Sequence, residues 1–213
     1  MKKKLIVIDP GHGGKDSGAV GTWSQEKDIV LEVCFLVRRA LGSAVDVMLT
    51  RSDDRFLTLQ ERPGISNKLA ADAFVSVHCN SADNKAAKGW EIFTTPGQNN
   101  SDKLADAIGK QYGDEFPAFK SRCDLSDGDL DKEANFSVIR GTNCPSTLLE
   151  LGFISNVEEE EILNNPEYQL AAAEAIASGI LDFLNIKEEP ADNELTTSER
   201  LDEVERRLDD ANL

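Results

Sequence analysis

The chain has 213 residues, 40% of them hydrophobic and 29% charged, the balance of one globular domain with a single buried core. Its net charge of −16 excludes nucleic acid and anionic membrane surfaces as partners, since both attract Lys/Arg patches. No apolar run approaches the roughly 18 residues of a membrane span, so no membrane insertion is expected.

The opening Met1-Lys2-Lys3-Lys4 has the basic character of a secretory signal. The apolar run behind it, Leu5 to Ile8, stops at Asp9-Pro10-Gly11. A signal needs about 7–15 apolar residues, so Leu5–Asp9 is expected to be a first strand. The chain is then expected to be made in the cytoplasm without a leader. Glu26 to Leu41 repeats apolar residues at helical spacing, and Val45–Thr50 follows as a strand. Leu57 to Ala71 has the pattern of a second helix. Ala73–Val77 and Trp90–Thr95 are strand-like, Ser101 to Phe116 helical, and Phe136–Ile139 and Thr147–Leu151 strand-like again. Pro166 to Leu184 closes the pattern as a long helix. This alternation predicts an α/β fold, with a twisted, mostly parallel sheet and helices on both faces.

One domain over residues 1–186 is expected, with an acidic linker at 187–198. A short acidic helix at 199–213 is expected to follow. From Lys187 onward there are ten acidic and four basic residues, −6 of the total charge. Leu201, Val204, Leu208 and Ala211 follow a 3-4-3 spacing, a seam for self-association or one side of a solvated helix. Cys34, Cys79, Cys123 and Cys144 form no metal-ligand or redox spacing and are expected as reduced, mostly buried thiols. The acids between Asp124 and Asp131 do not match an EF-hand loop, and a solvated loop at the rim of a cleft is expected there.

Both histidines fall beyond strand ends. His12 lies in the turn Asp9-Pro10-Gly11-His12-Gly13-Gly14, and His78 ends Ala73–Val77. Ligands of open α/β sheets bind past the carboxyl ends of the strands, so these imidazoles can converge although 66 residues separate them. Glu26, 14 residues after His12 across a glycine-rich turn, is the candidate third ligand. Two histidines and a glutamate hold catalytic Zn²⁺ and leave a coordination position open. Glu150, among Leu148, Leu149, Leu151 and Phe153, is a costly place for a carboxylate and suits a general base. Taken singly, each has a plainer reading: Glu26 as a favourable charge at a helix N-terminus, Glu150 as the partner of Arg140. Asn80 can share a face with His78 and orient a ligand or substrate, or start a turn. Asp9 and Asp16 can hold the histidines by hydrogen bonds or shape the turn. Arg140 can meet a substrate carboxylate or pair with a nearby acid, and Cys79 should point into packing.

The stretch from Lys4 to about Asn185 resembles the zinc-dependent N-acetylmuramoyl-L-alanine amidases of the type 3 class. Five motifs occur in order. Ile8-Asp9-Pro10-Gly11-His12-Gly13-Gly14 is followed by Gln25-Glu26-Lys27. The segment Ala71 to Ala82 with His78 comes next, preceded by Leu59–Arg62. Gly89-Trp90-Glu91 then precedes Leu149-Glu150-Leu151-Gly152-Phe153. The resemblance implies one Zn²⁺ on His12, Glu26 and His78, with Glu150 as catalytic base. It also implies bacterial peptidoglycan as substrate, cut between the lactyl group of N-acetylmuramic acid and L-alanine. The acidic tail is unlike the family's wall-binding repeats. With no leader, the expectation is an endolysin-like protein that reaches the wall after release, or a bacterial enzyme acting during lysis. Rival readings are another metal-dependent amide hydrolase, such as a peptidase or deacetylase, and a non-catalytic wall-binding module.

Overall fold

The computed structural model describes residues 2–126 and 128–187. The expected linker and tail helix, with their seam for self-association, lie outside the described residues from 188 onward.

Six strands form one sheet: β1 (Leu5–Pro10), β2 (Asp46–Leu49), β3 (Ala73–Asn80), β4 (Glu91–Thr94), β5 (Lys132–Glu133) and β6 (Ser146–Phe153), in the order β2-β1-β3-β6-β4-β5. The first four in that order run parallel; β4 is antiparallel to β6, and β5 is parallel to β4. The sheet is therefore mostly parallel, as expected. Strand alternation divides it into two faces. Ile6, Ile8, Val75, Val77, Leu149 and Leu151 pack under α1 (Glu26–Leu41), α3 (Asn100–Glu115) and α6 (Pro166–Leu184). Val7, Phe74 and Leu148 face the other way, against Val138 and Ile139. Each such fully buried side chain contributes roughly 1.5–3 kcal/mol.

The helices begin where local chemistry allows. Asn99 and Asp102 form a capping box on α3, and Asn165 caps α6 with Pro166 in its first turn. α2 (Glu61–Leu69) is shorter than the expected Leu57–Ala71. Thr58 instead donates through its backbone and hydroxyl to the Glu61 carboxylate, and Pro63 fits the first turn, where its missing N–H costs nothing. The expected strand at Phe136–Ile139 is in fact a single helical turn, α4 (Ser137–Arg140). A run this short has no readable period, and Val138 and Ile139 bury equally well from a turn laid on the sheet. Neither β5 nor α5 (Val157–Leu163) was expected. α5 starts at Asn156, whose side chain accepts from the backbone N–H groups of Glu158 and Glu159. All four cysteines are free: Cys34 and Cys79 are buried, Cys123 and Cys144 half-buried. Among the described residues no helix is long and apolar enough to cross a membrane.

Candidate active site

β1 and β3 run side by side, with Pro10 opposite Val77. Their exits therefore release the His12 turn and His78 at the same edge. Glu26 comes from the first residue of α1 and completes the group. Its Oε1 lies 3.1 Å from His12 Nε2 and 2.8 Å from His78 Nδ1. One ligand atom from each of the three lies within 4.8 Å of the others, and the imidazoles meet edge-on with centroids 5.0 Å apart.

The carboxylate is aimed by the backbone. Oε2 accepts from Ala19 N–H (2.8 Å) and Oε1 from Cys79 N–H (3.0 Å). Burial alone would raise the pKa of Glu26, but hydrogen bonds from His12 and His78 hold it well below the usual carboxylate range. Space is reserved by glycine. A Cβ on Gly11 would stand 2.3 Å from the His78 ring. One on Gly18, at φ +65°, would stand 2.5 Å from Glu26 Oε2.

His12 itself has φ 59°, unusual for a residue with a side chain. Two buried arginines hold it there. Arg51 Nε donates to the Pro10 carbonyl (3.1 Å) and Nη2 to that of Gly11 (2.8 Å). Arg62 Nη1 donates to the Pro10 carbonyl (2.7 Å) and Nη2 to that of His12 (2.6 Å). Asp9 sits beneath, fully buried. It pairs with Arg62 at 2.9 Å and accepts from the Thr50 and Ser76 hydroxyls. Asp9 thus shapes the turn rather than bonding a histidine. Asp16 stands beside the imidazole, with Oδ2 3.0 Å from His12 Nδ1, and shapes the turn through Oδ1, which accepts from Gly18 N–H.

Glu150 lies directly across from His78 on β6, and Glu91 directly across from Glu150 on β4, so three titratable side chains form a row on one face of the sheet. Glu150 Oε2 is buried and has no hydrogen-bond partner. Burial raises its pKa; His78 pulls it down, and Glu26 and Glu91 push it up, to about 7. Glu91 is held by Arg122 (2.7 Å), Lys132 (2.9 Å) and the Asn80 amide (2.5 Å). Asn80 therefore grips Glu91 rather than a histidine. Arg140 is exposed at the end of α4 and makes no ion pair with Glu150 or with any other acid among the described residues. Arg51, Arg62, Glu91 and Arg122 received no role from the sequence. The usable signal for Arg51 was its place just past the end of a strand, the position that singled out the histidines.

The chain matches the family model for N-acetylmuramoyl-L-alanine amidase over residues 6–182. The protein belongs to that amidase family. The Bacillus subtilis (strain 168) protein YqiI is 41% identical over 182 residues, 84% of each chain. The endolysin of Bacillus phage SPP1 is 38% identical, covering 86% of this chain and 67% of its own. The catalytic domain of CwlV, an N-acetylmuramoyl-L-alanine amidase from Bacillus (Paenibacillus) polymyxa var. colistinus, superimposes with a TM-score of 0.76 at 37% identity. It covers 86% of this chain and 99% of that domain. The present chain is thus a peptidoglycan amidase with a single α/β domain, and its histidine–glutamate cluster lies within the matched region.

The cluster fits a metal ion. Two imidazole nitrogens and a carboxylate oxygen are a donor set for Zn²⁺. Burial disfavours a charged imidazole, yet Glu26 raises the proton affinity of His12 and His78 alike, so the group attracts positive charge. The lone oxygen of Glu150 faces the same end of the sheet.

Proposed function

We propose that this amidase hydrolyses the amide between the lactyl group of N-acetylmuramic acid and L-alanine, with Zn²⁺ on His12, Glu26 and His78 and with Glu150 as general base. The observation that carries this reading is the row His78–Glu150. A ligand-type imidazole and an unpartnered carboxylate oxygen face each other on adjacent strands. When bound, Zn²⁺ acts as a Lewis acid toward water and the scissile carbonyl.

Glu150, with a pKa of about 7, can be ionised and still hold a proton. Its Oε2 takes a proton from the attacking water and returns it to the departing alanine nitrogen. The carbon–nitrogen bond breaks, leaving a lactyl carboxylate and a free amino terminus. Glu26, fixed by two backbone N–H groups, keeps the imidazoles in place throughout. The protein acts on the wall after leaving the cell that makes it.

Mass spectrometry of muropeptides tests this. Digestion should create alanine amino termini, stop with a chelator and resume with Zn²⁺. Released acetate or free amino acids would instead identify a deacetylase or a peptidase.

A further inference from the structure

Glu160, on α5, is fully buried, a costly place for a carboxylate. Its four side-chain hydrogen bonds all come from one short stretch at the other end of the chain. Thr22 N–H donates to Oε2 (2.7 Å), and Trp23 N–H and Ser24 N–H donate to Oε1 (2.9 and 3.0 Å). The Ser24 hydroxyl adds a fourth bond to Oε1 (2.8 Å) and itself accepts from the Asn164 amide (3.0 Å). Three successive backbone N–H groups converging on one point make an anion seat, and here a side chain fills it. Burial would raise the pKa of Glu160, but the Trp23 and Thr22 N–H groups lower it, so the carboxylate stays ionised and accepts from all four donors.

The seat is the tip of a hairpin that ends on Glu26. Gly21 N–H donates to the Ser24 carbonyl (3.0 Å), and Val20 pairs antiparallel with Gln25. One step further down, Glu26 N–H donates to the Ala19 carbonyl (2.9 Å), and Ala19 N–H donates back to Glu26 Oε2 (2.8 Å). The limb that aims the Glu26 carboxylate is thus held in place from its tip. Gly21 leaves room for the clamp: a Cβ there would stand 2.2 Å from Glu160 Oε1.

The neighbouring residue shows that the connection is specific. Glu159 is also buried, and it also accepts from two backbone N–H groups, but these belong to Gly89 and Phe153 (2.7 Å each). Two adjacent carboxylates of α5 therefore reach to different parts of the molecule, and Glu160 alone reaches the hairpin of Glu26.

We propose that Glu160 is a positioning residue for the metal centre: by clamping the Thr22–Ser24 tip onto α5, it fixes the Ala19 limb and so the orientation of Glu26. This rests on the reading of Glu26 as a zinc ligand. Partners that orient a ligand govern metal affinity although they never touch the metal.

The test is zinc affinity of the purified full chain, read by competition with a fluorescent chelator, with the Tm of the metal-free protein measured alongside. Glu160→Gln turns a donor toward the tip N–H groups and should weaken zinc binding about tenfold or more. Gly21→Ala disturbs the clamp from the loop side, with the strain falling on the end of the Glu160 side chain, and should weaken it too. Glu159→Gln loses a buried acceptor of the same kind and should lower the Tm with zinc affinity unchanged. With Co²⁺ in place of zinc, the visible absorption band, which reports ligand geometry rather than stability, should change in Glu160→Gln and Gly21→Ala and not in Glu159→Gln. Zinc bound as tightly by Glu160→Gln and Gly21→Ala as by the wild type would overturn the proposal and leave the metal site standing. Equal weakening in Glu159→Gln would overturn it as well, since the effect would then be a general loss of stability. A wild type that binds no zinc would overturn the reading of Glu26 and the proposal with it.

Discussion

Glu91 and Glu150 stand opposite one another across the β4–β6 pair, and only Glu91 is matched by cations. The arrangement splits two identical functional groups into different states. Arg122 and Lys132 outweigh the burial of Glu91 and hold it ionised, and its charge in turn helps to raise Glu150.

Replacing Glu91 should therefore retune the proposed base without touching it. Glu91→Gln removes a negative neighbour and leaves Arg122 and Lys132 uncompensated, and both changes favour ionised Glu150. The acidic limb of the kcat/KM profile should move down by about half to one pH unit. A limb that stays in place would separate Glu91 from the chemistry.

Glu150→Gln should lower turnover about 10²- to 10⁴-fold and leave zinc content unchanged, whereas His78→Ala should lose the metal. Equal zinc loss in both would undo the assignment of roles. Stability should move the other way. The carboxyl of Glu150 is raised from 4.5 to about 7 in the folded chain. Its contribution is thus present below pH 4.5 and lost as pH rises through 7. In metal-free protein at pH 8, Glu150→Gln should be more stable than wild type by on the order of 2 kcal/mol, and the difference should vanish near pH 4.5.

Gly18→Ala tests the space kept beside Glu26 and His12, the proposed zinc ligands. Its Cβ would fall 2.5 Å from Glu26 Oε2 and 2.6 Å from His12 Cδ2, at a φ that already costs about 1–2 kcal/mol for alanine. Gly97→Ala, at φ +97° with nothing within 4 Å, carries the backbone cost alone. Competition with a colorimetric chelator should show zinc affinity reduced about tenfold or more in Gly18→Ala and unchanged in Gly97→Ala.

Arg62→Met should destabilise the chain by about 3–5 kcal/mol in urea unfolding, because it strands the buried charge of Asp9. Adding Asp9→Asn should restore part of the loss. If the double variant is no better than the single one, the packing of Arg62 rather than its charge is what matters.

Much of this was legible in the chain itself. Periodicity located β1, α1, β3 and α6, because each is long enough for alternation or helical spacing to repeat. The strand-end rule placed His12 and His78 together from opposite parts of the sequence. Phe136–Ile139 has the composition of a strand but forms a helical turn, because a four-residue run has no period. The antiparallel course of β4 left no trace, since an apolar strand has the same composition in either direction. Arg51 and Arg62 were hidden for another reason. Their partners are backbone carbonyls, and a carbonyl has no letter in the sequence.

Those carbonyl contacts have a consequence for how the enzyme meets acid. The Pro10–His12 segment is clamped by guanidinium groups, which stay charged over any pH that protonates imidazole. Acid that protonates the imidazoles leaves this clamp on the Pro10–His12 carbonyls charged, so the turn that carries His12 keeps its hold.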